Sequence, residues 1–92
     1  GTNIVSYEVI ETNHGNYGIV FGENPELTID HITADFNYEN YRFSVDVPSD
    51  EIFVKYAHLP EGIEKPFPAE LTYFDKDQTV IDVANLFLAE NN

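Results

Sequence analysis

Apolar and polar residues alternate from Ile32 to Val47 in two runs that meet at Glu39-Asn40. Pairing residues whose numbers sum to 79 sets Ile32 against Val47, Ala34 against Val45, Phe36 against Phe43 and Tyr38 against Tyr41. Each of these residues is apolar or aromatic. The intervening pairs, Thr33 with Asp46, Asp35 with Ser44 and Asn37 with Arg42, are polar throughout. Period-two alternation matched across a short loop predicts an antiparallel hairpin with one buried face.

The same pattern extends to both sides. Val5, Tyr7 and Val9 alternate with Ser6 and Glu8, followed by the turn cluster Asn13-His14-Gly15-Asn16 and a second apolar run, Tyr17 to Phe21. With His14-Gly15 as the loop, Val9 faces Val20 and Ile10 faces Ile19. The stretch 25–31 has two readings. Asn24 and Pro25 suit the first turn of a helix, whereas β-branched Thr28, Ile29, Ile32 and Thr33 favour a turn, a bulge near Asp30-His31 and then strand. We take the second.

Val47-Pro48-Ser49-Asp50-Glu51 suits a type I turn, which sets Val45 opposite Val54 and Phe43 opposite Tyr56. Ile52, Val54 and Tyr56 then join the apolar face and close a meander over 28–58. The competing reading of 50–58 is a helix starting at Ser49, with Asp50 and Glu51 in its first turn. Pro60, Gly62, Pro66 and Pro68 mark a loop, and Glu70 to Phe74 reads as a short strand.

At the C-terminal end the period changes. Val80, Val83, Ala84, Phe87 and Leu88 recur at helical spacing, and Asp75 and Asp77 suit the positive end of a helix dipole. This predicts a helix over 78–90. The expected fold is therefore α+β: an antiparallel sheet of about five to six strands with that C-terminal helix packed on one face. Ninety-two residues suit a single domain over 1–92, and Gly1-Thr2 reads as a tag remnant.

Charge changes the picture more than length does. Seventeen acidic residues face Arg42, Lys55, Lys65 and Lys76, for a net charge of −13. Nucleic acid and anionic membrane both require basic surface, so neither is an expected partner. Ordinary solubility needs a net charge of only about 2–8 in magnitude. The excess destabilises the compact state by self-repulsion and favours a basic partner. There is no cysteine, hence no disulfide or thiolate chemistry. No apolar run approaches a membrane span of about 20 residues and no signal-peptide pattern opens the chain, so the expected location is cytoplasmic.

Catalytic and metal chemistry find little support. Asp75-Lys76-Asp77-Gln78-Thr79 resembles the start of a calcium loop, but Val80 stands where that loop needs Gly and Leu86 where it needs Glu. His14, His31 and His58 lack the close spacing of zinc ligands. No nucleophile elbow, phosphate loop or dinucleotide fingerprint occurs. The expectation is a non-enzymatic protein with no metal site and no cofactor.

What remains is surface. Asp35 and Asp46 lie on the polar face, Glu39 at one tip, and Asp50 and Glu51 at the other. Alternate residues of a strand stand roughly 6.6–6.8 Å apart, so carboxylates at that pitch offer a surface like a nucleic-acid backbone. Tyr38 and Tyr41 flank the hairpin tip, where amphipathic rings suit a protein-binding edge. These seven residues form the expected partner site. In size and charge, and in no motif, the chain is similar to small phage-encoded nucleic-acid mimics such as anti-restriction and anti-CRISPR proteins. That resemblance implies an inhibitor of a basic nuclease or other nucleic-acid-binding protein. Two alternatives stand beside it: an immunity protein or antitoxin against a basic nuclease toxin, and a structural or accessory domain whose acidity serves solubility.

Overall fold

The computed structural model describes residues 5–81. It contains seven strands: β1 (Val5–Thr12), β2 (Gly15–Glu23), β3 (His31–Phe36), β4 (Arg42–Asp46), β5 (Ile52–His58), β6 (Ala69–Phe74) and β7 (Val80–Ile81). They form two antiparallel sheets, one of order β1-β2-β5 and one of order β4-β3-β6-β7. There is no helix among the described residues.

Period-two alternation puts one apolar row of each sheet into a shared interior. Val5, Tyr7, Val20 and Phe53 face Ile32, Ala34, Phe36, Phe43, Val45 and Tyr73, while Ile29, Val47 and Leu59 close the margins from the loops. Tyr7 spans the join, with its ring 6.0 Å from Phe36 and 6.1 Å from Phe43. Gly18 makes that approach possible, since a Cβ there would lie 2.9 Å from the Phe43 ring.

The α+β expectation is overturned. The expected helix 78–90 fails at its start, because Val80 and Ile81 pair with Phe74 and Tyr73 as strand. Gln78 takes a φ of 66°, outside any right-handed helix. The cause is Asp75. Its carboxylate accepts the N–H groups of Asp77 (2.9 Å) and Thr79 (3.0 Å), while Thr79 O accepts the N–H of Asp75. An aspartate that accepts the N–H two residues on serves a helix cap and a tight turn equally well. Residues 82–90 of the expected helix lie outside the described residues.

The meander over 28–58 is also overturned. β5 pairs with β2 in the other sheet, so the stretch after Val47 is a crossover rather than a hairpin turn. Its backbone is tied on both sides: Val47 donates to Asp30 O (2.8 Å), and Glu51 O accepts from Asn24 N (2.6 Å). Of the two readings of 50–58, strand is correct, but its parity is reversed. Phe53 is buried, and Ile52, Val54 and Tyr56 point to solvent. In the 25–31 segment the strand begins at His31. It follows a turn in which Leu27 has a φ of 55° and the buried Asn24 side chain bonds both N and O of Ile29.

Both hairpins form, each slipped by two residues from its expected register. In β3–β4 the partner numbers sum to 77, so Ile32 faces Val45 and Ala34 faces Phe43. Phe36 N donates to Tyr41 O, which leaves a longer loop at the tip. In β1–β2, Tyr7 faces Val20 and Val9 faces Gly18, with Asn13-His14 at the turn and Gly15 at a φ of 116°. A slip of two keeps every side chain on its face, so the interior is unchanged.

Candidate interaction surfaces

The outer face of β4-β3-β6 carries the predicted carboxylates in cross-strand rows. One row is Arg42–Asp35–Glu70, the next Ser44–Thr33–Thr72, and the last Asp46–His31–Phe74. Asp35 and Asp46 therefore share a face, as the alternation predicts. They stand at opposite ends of it, separated by a row of hydroxyls, and are about 13 Å apart along the strand direction. The continuous run of carboxylates at strand pitch does not form. Asp35 is also partly neutralised, with Arg42 Nε 3.1 Å from its Oδ1. Two residues join the face that local patterning did not single out. Glu70 arrives beside Asp35 by the pairing of β6 with β3, and Asp30 lies with its Oδ2 2.9 Å from His31 Nδ1. The His31 ring stacks on Phe74 with centroids 4.7 Å apart.

The remaining predicted residues divide between the two ends of the β3–β4 hairpin. Glu39 acts on its own chain: its Oε1 accepts the N–H groups of Glu64 (2.9 Å) and Lys65 (3.2 Å), tying the loop after β5 to the hairpin tip. Tyr38 is exposed, with Lys65 Nζ 5.9 Å from its ring centre. Tyr41 packs edge-on against Phe36 (5.2 Å) and is half-buried, so it belongs partly to the core. Asp50 and Glu51 are exposed on the crossover, beyond the far end of β4.

The second surface was missed. On the outer face of β1-β2-β5 the rows are Ser6–Phe21–Val54, Glu8–Ile19–Tyr56 and Ile10–Tyr17–His58, with Glu23 beside Ile52. Ile52 is 73% exposed, Val54 65% and Tyr56 70%. The alternation of β5 carried the signal for this face, but local sequence does not say which of its sides meets the core.

Two tyrosines titrate abnormally. Burial, and then the nearby Tyr41, push Tyr7 up to about 12, and its hydroxyl donates to Pro66 O at 2.8 Å. Burial also raises Tyr73. Both are core groups, remote in role from either outer face.

An open depression of about 830 Å³ lies where the 24–30 segment, the start of the crossover and the Asp75 turn meet. Asn24 lines it, with its Nδ2 donating to Ile29 O and its Oδ1 accepting from Ile29 N, and no buried side-chain polar atom lacks a partner among the described residues. No group of three or more His, Asp or Glu residues could hold a metal ion among the described residues. None of the helices needed to cross a membrane, long and apolar, is present among them either. No protein-family model, known protein or solved structure matches the chain.

Proposed function

We propose that this protein is a non-enzymatic, acidic interaction protein that binds a basic nucleic-acid-handling protein and occupies the site where that protein takes phosphates. The observation that carries this reading is the charge and how its few cations are used. Against seventeen carboxylates the chain has four Lys and Arg residues. Arg42 is paired with Asp35, Lys65 lies over Tyr38, and Lys55 sits on the interior-facing parity of β5. Lys76 is exposed but stands between Asp75 and Asp77, so four cations are spread thinly among seventeen carboxylates. Both sheets carry carboxylates on a rigid support: Asp35, Glu70 and Asp46 on β4-β3-β6, and Glu8 and Glu23 on β1-β2-β5.

Complementary charge of this kind speeds association and makes it fall with salt. The test is affinity capture, then titration of the captured protein at about 50 and about 500 mM salt with nucleic acid as competitor. The expected result is binding that weakens at the higher salt and is displaced by nucleic acid. Binding indifferent to both would overturn the reading.

A further inference from the structure

We propose that the outer face of β1-β2-β5 is the docking surface for the basic partner, and that the partner meets it with an apolar centre ringed by Lys and Arg. The proposal rests on the reading above and names the part of the molecule that makes the contact. The alternation of β5 is inverted for a strand with one buried side. Its interior-facing residues are Phe53, Lys55 and Ala57, and its solvent-facing residues are the bulkier and more apolar Ile52, Val54 and Tyr56. A strand on a sandwich normally turns its greasier side inward. Ile10, Ile19 and Phe21 continue the apolar area across the neighbouring strands. Single exposed apolar residues are ordinary, whereas a contiguous patch marks a contact surface.

The rim is acidic: Glu8 stands beside Ile19, Glu23 beside Ile52, and Asp50 and Glu51 lead into the strand. An apolar centre with a polar rim is the usual anatomy of a protein interface. Charge then selects the occupant. A second copy carries the same acidic rim and a net charge of −13 of its own, and is repelled. Residues 82–92 contain Asp82 and Glu90 and no Lys, Arg or His, so they leave the rim uncompensated. A cationic partner alone complements it. Docking is onto the face rather than along the β5 edge, because an inward-pointing charge such as Lys55 opposes strand addition.

The test uses the full chain, isotopically labelled, and two synthetic peptides of equal length and charge, one alternating Arg with Val and the other Arg with Ser. The expected result is that the Arg/Val peptide binds about tenfold tighter or more and shifts the amide signals of 19–21 and 52–56. The triple variant Ile52→Thr, Val54→Thr, Tyr56→Ser should lose that advantage while melting within about 4 °C of the parent. Equal binding of the two peptides, mapped to β3–β4, would overturn the docking surface and leave the acidic-partner reading standing. Failure of both peptides to bind at low salt would overturn both. A concentration-dependent dimer abolished by the triple variant would assign the face to a second copy. A fall in melting temperature of about 8 °C or more would assign it to packing within the chain.

Discussion

Tyr7 is the residue on which the two sheets depend most visibly. Its ring meets Phe36 and Phe43 across the interior and stacks on Phe67, and its hydroxyl reaches Pro66 O. Because burial raises its pKa from 10.0 to about 12, the folded state holds the proton more tightly than the unfolded chain does. The stabilisation linked to this proton is complete below about pH 10 and is lost as pH rises toward 12. Alkaline titration followed by circular dichroism should therefore show stability declining above pH 10. Tyr7→Phe should cost about 1 kcal/mol at neutral pH through the lost hydrogen bond, and it should flatten that alkaline decline. Gly18 limits the same contact from the other side. Gly18→Ala places a methyl 2.9 Å from Phe43 and 3.1 Å from Tyr7, both packed side chains. Chemical denaturation should report a loss of about 1–3 kcal/mol from overpacking.

At the scale of elements, what local pattern can and cannot specify is clear from three cases. The β3–β4 hairpin was readable because alternation is uninterrupted within each of its two runs, Ile32 to Tyr38 and Tyr41 to Val45, and its face assignment survives a two-residue slip. The loop length was not readable, because Asn37 to Tyr41 offers no Asn-Gly or Asp-Gly pair to impose a two-residue turn. β5 alternates equally well, yet its orientation depends on β2, a distant segment that pairs Glu23 with Ile52 and Tyr17 with His58. The Asp75 turn is the third case. Its cap-like aspartate is compatible with helix or hairpin, and pairing of Val80 with Phe74 decides for the hairpin. Asp75→Ala removes an acceptor shared by two backbone N–H groups. It should cost about 1–2 kcal/mol and speed amide exchange at Thr79 and Ile81, read by hydrogen-exchange NMR.

For the molecule as a whole, the net charge of −13 acts on folding and on binding with opposite signs. Repulsion among carboxylates destabilises the compact state, and salt screens it. Raising salt from about 10 to about 500 mM should therefore raise the melting temperature of the free protein while weakening its complex with a basic partner. Glu8→Gln together with Glu23→Gln, on the rim of the β1-β2-β5 face, should lower that partner's association rate by about tenfold, most visibly at low salt. An accessory domain whose acidity serves only solubility would show the melting effect without the kinetic one. The candidate site was partly readable at this scale. Asp35 and Asp46 share an outer face as expected, but Glu39 is spent on the backbone of Glu64 and Lys65, and Tyr41 on Phe36.

Local pattern and composition suffice for which residues are strands over most of the described chain, which side of β3 and β4 is apolar, and the dominance of negative charge. Those properties are local or additive, since a strand's period and a chain's charge can be counted without knowing its neighbours. Long-range pairing sets β5 beside β2 and not β4, sets Glu70 beside Asp35, and turns Ile52, Val54 and Tyr56 outward. Each of these follows from pairing between segments far apart in the chain. One strand presents the same hydrogen-bonding edge to any partner, so the choice falls to the packing of the two sheets as a unit.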